Sequence, residues 1–128
     1  MTVRILLRVT GLLEGATALG FLLSPAVPVE LLFGRQPDAV IEPLLGRVLG
    51  ASLLSLAMIC WWAGDDQGSR ATSIVVGSMA IYDIAAVVIL LYARRTFKLS
   101  GIALGPAVFV HAGLAAWSVL GPQRKKST

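Results

Sequence analysis

Three ionisable side chains, Glu14, Asp83 and His111, stand near the middle of three separate apolar runs in this sequence. A guanidinium, Arg47, stands nearer the end of a further one. Two carboxylates and an imidazole can share protons, hold a cation or hydrogen-bond a ligand, and a guanidinium can pair with either acid. An Asp or Arg at mid-bilayer costs about 2.5–3.5 kcal/mol on insertion scales. Such groups must therefore be paired, protonated or wetted, and whether they meet depends on the elements that carry them.

Those elements are legible from composition. The chain has 128 residues, 56% hydrophobic and 14% charged, with a mean hydropathy of +0.80. A soluble domain carries roughly 25% charged residues, and a helix needs roughly 20 apolar residues to cross a bilayer. Four stretches meet that need: Ile5–Leu23, Leu44–Trp62, Ile74–Tyr92 and Ile102–Leu120. They use most of the chain, so residues 1–128 read as one all-α domain of a polytopic membrane protein. Short polar breaks, "GDDQGSR" (64–70) and "RRTFKLSG" (94–101), separate later spans. Such connections predict a four-helix transmembrane bundle running up-down-up-down. Between the first two spans, "SPAVPVELLFGRQPDAVIEP" (24–43) holds four prolines, too many for one helix. Its "VELLFG" core fits a short interfacial helix. Glu14 interrupts the first run, which is longer than a signal-peptide core of about 7–15 residues, so that run reads as a retained span.

The net charge of +4 and the basic tail Arg124, Lys125 and Lys126 suit anionic cytoplasmic lipid. Both termini are therefore expected on the cytoplasmic side of the cell (inner) membrane. The bilayer is the expected partner, with a larger membrane complex or a homo-oligomer also compatible. No soluble domain or aromatic-basic groove favours nucleic acid.

Depth and facing sharpen the reading. Glu14, Asp83 and His111 are the midpoints of the first, third and fourth spans, so all three fall near one plane. Arg47 lies six residues from the second midpoint, about 9 Å along the axis. Small residues flank each group: Thr10, Gly11, Thr17 and Ala18 around Glu14; Ser73, Gly77 and Ala80 with Asp83; Ala107, Ala115 and Ser118 with His111. Gly11/Gly15, Gly46/Gly50 and Gly101/Gly105 have the GxxxG spacing that lets backbones approach. These six glycines and Gly77 are expected at helix contacts. Convergence of Glu14, Asp83 and His111 is expected too, with Arg47 as charge partner of at least one carboxylate. Two roles remain open: a ligand- or ion-binding site, or hydrogen-bonding glue at about 0.6 kcal/mol per contact.

Other chemistries are demoted. Cys60 is the single cysteine and His111 the single histidine, excluding an intramolecular disulfide and bis-histidine haem. No nucleophile-elbow, P-loop or zinc-protease motif is present, so no catalytic residue is assigned. Glu14, Asp83 and His111 have ligand types that suit a divalent metal. Single ligands on separate helices are a far weaker signal than an ExxH pair, so no metal is assigned. No cofactor is identifiable; a quinone or another lipid-soluble ligand would find apolar walls and polar anchors here.

Arg4, "GLLEGATALGFLLSP" (11–25) and "PLLGRVLGASLLSLAMICWW" (43–62) resemble the DoxX-like group of small bacterial four-helix membrane proteins. The resemblance covers roughly the first two spans and implies a bacterial inner-membrane protein. Some members of that group are linked to quinone-coupled sulfur or redox chemistry, often as complex partners. No catalytic motif carries over onto these residues. The expectation is an accessory or ligand-binding subunit holding a lipid-soluble ligand or partner. A proton- or cation-coupled transporter using Glu14, Asp83 and His111, or a purely structural subunit, are the alternatives.

Overall fold

The computed structural model describes residues 2–38 and 40–121; the basic tail from Arg124 to Lys126 lies outside the described residues. Among those described, all regular structure is helical: α1 Val3–Leu23, α2 Ala26–Phe33, α3 Ile41–Ala63, α4 Arg70–Phe97 and α5 Leu104–Leu120. Three of these, α1, α3 and α4, are long and apolar enough to cross a membrane. Large apolar side chains such as Leu12, Leu19, Ile81, Ile89 and Phe109 lie exposed on the outside, as a helical membrane protein requires. The short α2 forms within the proline-rich segment. Pro25 precedes it, and Gly34 ends it in the left-handed region at φ 70°, where glycine carries no Cβ penalty.

Helix α5 has 17 residues, about 26 Å of axial rise against a hydrocarbon core of about 30 Å. It starts later than the hydropathy indicates because residues 100–103 serve another element. The backbone N–H groups of Ser100, Gly101 and Ala103 donate to the carbonyls of Phe33, Leu32 and Leu31 at 3.3, 3.1 and 2.8 Å. Those carbonyls end α2 and have no partner within their own helix. A Cβ on Gly101 would collide with the Leu31 carbonyl. Gly101 is thus a packing glycine, but it admits α2 rather than another long helix.

The tightest packing joins α1 to α3. Buried positions on α1 include Leu7, Gly11, Glu14, Ala18 and Phe21; those on α3 are Gly46, Gly50, Leu53, Ala57 and Cys60. Both sets alternate spacings of four and three, the pattern of helices that meet along a narrow seam. A Cβ on Gly50 would lie 2.9 Å from the Ala18 carbonyl oxygen, and one on Gly46 2.9 Å from Pro25 Cβ. On the other side, a Cβ on Gly11 would lie 3.0 Å from the Ala57 carbonyl, and one on Gly15 3.7 Å from Ala57 Cβ. Since residues late in α1 face residues early in α3, the two helices run in opposite directions. Helix α4 packs mainly on α5, whereas contacts of α3 with α4 and of α1 with α5 are sparse. The described fold is therefore two helix pairs meeting across a thinner seam.

Two expected contact glycines fail. Nothing approaches a Cβ built on Gly77 or Gly105 within 4 Å, and Ser73 and Gly77 are exposed. The buried stripe of α4 is Thr72, Met79, Ala80 and Asp83. It keeps Ala80 and Asp83 of the expected one but replaces Ser73 and Gly77 by Thr72 and Met79, a rotation of less than one residue's 100°. The α3–α4 turn explains the rotation. Ser69 Oγ caps α4 by accepting from the Thr72 N–H at 3.0 Å. The Thr72 hydroxyl in turn reaches the carbonyls of Ala63 and Asp66, which draws Thr72 inward and Ser73 outward.

Gly50→Leu should lower the melting temperature sharply in detergent, by a destabilisation of about 1–3 kcal/mol or more for overpacking. Gly77→Ala should leave it unchanged or raise it, since Ala exceeds Gly in helix propensity by up to about 1 kcal/mol. Equal losses for both variants would refute this assignment of the packed faces.

Candidate functional site

Glu14 sits on the inner face of α1, seven residues after Leu7 and seven before Phe21. It lies between two apolar groupings, one built on Leu7, Cys60 and Met79 and the other on Ala18, Phe21 and Leu53. Tyr82 of α4 packs against both, at the level where Asp83 and, from α5, His111 arrive. The residues expected to converge do so: donor atoms of Glu14, Asp83 and His111 all lie within 4.8 Å of one another. Glu14 and Asp83 are 3% and 0% exposed. The cluster also spans the thin seam, with Glu14 from the α1–α3 pair and the other groups from the α4–α5 pair.

Its hydrogen bonds are specific. His111 Nδ1 and Asp83 Oδ1 are 2.7 Å apart; either the imidazole N–H donates to the carboxylate, or a protonated carboxyl donates to the ring nitrogen. The Tyr82 hydroxyl donates to Glu14 Oε2 at 3.3 Å. Its ring meets the His111 ring edge-on, with centroids 5.7 Å apart at 77°, the geometry that aromatic quadrupoles favour. Tyr82 therefore touches both halves of the cluster. Asp83 Oδ2 differs from the rest: it is buried and has no hydrogen-bond partner among the described residues. A buried acceptor left unmade costs about 1–3 kcal/mol, and more when charged.

Arg47 is not part of this arrangement. It is exposed, one residue around α3 from the buried Gly46, and no ion pair joins it to a described carboxylate. Axial distance explains the difference. Glu14 lies level with the part of α3 near Ala57, because the neighbouring Gly15 faces Ala57. That is ten residues beyond Arg47, about 15 Å of helix, farther than a guanidinium stem can reach. His111 fills the partner role instead.

Tyr82 is the member that hydropathy and spacing miss, because an aromatic residue inside an apolar run reads as ordinary packing. The available signal is that a buried tyrosine needs a partner for its hydroxyl, and Tyr82 directly precedes Asp83. A second polar group, at one helix end, also escapes a reading by spans. Arg8 approaches Asp65 Oδ1 at 2.6 Å and Arg4 does so at 3.4 Å, while the Arg8 guanidinium carbon lies 3.7 Å from the Trp61 ring centre. At the opposite end, Arg35 pairs with Glu42 and Glu42 accepts from the Asp38 N–H at 2.8 Å. Both groups fasten helix ends. A groove of about 360 Å³ between α2 and the start of α5, lined by Val27, Glu30, Leu31 and Ile102 among others, shares no residue with the cluster.

Tyr82→Phe keeps the ring against His111 and deletes the donor to Glu14. It should destabilise the detergent-purified protein by about 0.5–1.5 kcal/mol, the net worth of one hydrogen bond. Arg47→Met should leave the melting temperature unaltered, and a larger loss for Arg47→Met than for Tyr82→Phe would return Arg47 to the buried network.

Comparison of the chain with protein-family models, with curated proteins and with solved structures finds no match.

Proposed function

We propose that this protein is a small integral membrane protein, a four-helix up-down-up-down bundle with both termini cytoplasmic, whose buried polar cluster binds a ligand. In this reading it acts as a membrane-embedded binding subunit, in keeping with the resemblance of its first two spans to the DoxX-like group. The observation that carries the reading is Asp83 Oδ2. Hydrogen-bonding glue would have every buried acceptor matched, whereas this oxygen is buried, unmatched and beside two further ligating groups. An acceptor in that state recruits a cation or a hydrogen-bond donor.

A proton- or cation-coupled transporter is supported by one separate feature. The His111 side chain is 18% exposed while that of Asp83, its partner, is 1% exposed. The exchangeable groups of His111 and Asp83 thus stand side by side, one part-exposed and one buried, the pairing of ionisable groups that intramembrane relays are built from.

Asp83→Asn provides the test, because an amide keeps the shape and the bond to His111 but loses the charge. The variant should stay folded, with a melting temperature within a few degrees of the parent. Native mass spectrometry in mild detergent should show a bound species on the parent chain that the variant lacks. Identical spectra with the fold preserved would establish glue instead, since the amide still hydrogen-bonds to His111. For topology, cysteines placed at Ser69 and Ser100 should be labelled from opposite sides of the membrane, against a background in which Cys60 is itself buried. Labelling of both from one side would overturn the up-down arrangement.

A further inference from the structure

We propose that Glu14, Asp83 and His111 form a site for one divalent first-row transition-metal ion, clamping the α1–α3 pair to the α4–α5 pair. The inference rests on the reading of this cluster as a binding site and names the class of its ligand.

Charge selects the valence. Two ionised carboxylates and a neutral imidazole carry −2 together, so a divalent ion leaves the shell neutral. A monovalent ion would leave an uncompensated negative charge in a buried setting, where an unpaired ion costs several kcal/mol. Donor chemistry selects the type of ion. Carboxylate oxygen alone would suit Mg²⁺ or Ca²⁺, but an imidazole in the shell shifts preference to Mn²⁺, Fe²⁺, Co²⁺ or Zn²⁺.

Geometry is close to what such an ion needs. Bonds of about 2.0–2.2 Å in a tetrahedral shell set donor atoms roughly 3.3–3.6 Å apart. The donors here lie within 4.8 Å, so side-chain rotations of ångström scale close the shell. Asp83 Oδ2 is already free to ligate. His111 contributes a ring nitrogen as its hydrogen bond to Asp83 Oδ1 gives way to coordination. Three protein ligands leave a further position for water or a substrate atom, as in open metal sites. Tyr82 supplies the outer support, its hydroxyl on Glu14 Oε2 and its ring against His111, as ligating groups commonly require. Cys60 belongs to the apolar grouping with Leu7 and Met79 and is not among the ligands.

The decisive experiment uses the full chain without a histidine tag, purified in mild detergent and stripped with a chelator. Zn²⁺, Mn²⁺, Co²⁺ or Mg²⁺ is added singly, then metal retained after desalting and melting temperature are measured. One of the transition ions should be retained at about one per chain and raise the melting temperature by roughly 10 °C at a hundred-fold excess over Kd. Equimolar Mg²⁺ should do neither. Glu14→Gln, Asp83→Asn and His111→Gln should each abolish retention while keeping helical circular dichroism, and Cys60→Ser should retain metal like the parent. Should a variant fail to fold, the visible spectrum of the Co²⁺-loaded parent decides: ligand-field bands without thiolate charge transfer support the site. Absence of retention for all the transition ions, retention that survives Glu14→Gln, or loss in Cys60→Ser would overturn it. If metals fail but Asp83→Asn still strips a bound species from the parent chain, only the metal assignment falls. If that difference is missing too, the binding site falls with it.

Discussion

The close approach of α1 and α3 is the contact on which the rest of the structure depends. Gly50 has no side chain where the Ala18 carbonyl passes, Gly46 none where Pro25 passes, and Gly11 none where the Ala57 carbonyl passes. Two backbone approaches and one against the Pro25 ring leave little freedom for either helix to rotate or slide. In a membrane this matters more than in water, because lipid tails are as apolar as leucine and association relies on packing and hydrogen bonds. With the seam fixed, the face carrying Leu7, Gly11, Ala18 and Phe21 points inward, and Glu14 has to follow it. The burial of an acid is thus a consequence of where the glycines sit, one of them, Gly11, a turn before it on the same face.

An acid delivered to the interior must then be accommodated, and the accommodation comes from the other helix pair. Tyr82 donates to Glu14 while its neighbour Asp83 engages His111 of α5, so one acid finds its partner on α4 and the other on α5. This requires α4 to present Tyr82 and Asp83 together. The Ser69 cap and the inward Thr72 set that rotation eleven residues earlier. Four groups find partners: the Tyr82 hydroxyl with Glu14 Oε2, and His111 Nδ1 with Asp83 Oδ1; Asp83 Oδ2 is fully buried and finds none among the described residues. That oxygen separates this cluster from a self-satisfied packing motif.

Much of this was legible in the sequence, and the failures share one origin. The helical, membrane-type character followed from composition, and the convergence of Glu14, Asp83 and His111 followed from their common depth, since depth is set by counting residues. Facing was harder. Gly46, Gly50, Gly11 and Gly15 lie on packed faces as their spacing implied, but Gly77 and Gly105 do not, because spacing along one helix cannot reveal its rotation. That rotation is fixed by turn contacts, here the hydroxyl of Thr72. Arg47 misled for a related reason. Its depth was measured against its own span, while the relevant distance is set by the stagger of α3 on α1, which only the seam contacts determine. The late start of α5 likewise depends on α2 needing donors from residues 100–103, a demand invisible to hydropathy.

The sparse contact between the two helix pairs gives the polar cluster a second consequence. Apolar surfaces meeting in lipid gain little from leaving it, so a thin apolar seam alone would hold the pairs in many nearly equivalent arrangements. Hydrogen bonds have direction and a narrow range of lengths, and the Tyr82–Glu14 bond, at 3.3 Å, crosses the seam at one register. Sliding α4 by a single residue would move Tyr82 by about 1.5 Å along the axis and about 100° around it, parting the hydroxyl from Glu14. Shape complementarity at the glycines therefore fixes each partner of the first pair, and polar directionality fixes the second pair upon it. Any ligand that adds a bond between Glu14 and Asp83 strengthens the same constraint, so occupancy of the cluster and the mutual position of the helix pairs are coupled quantities.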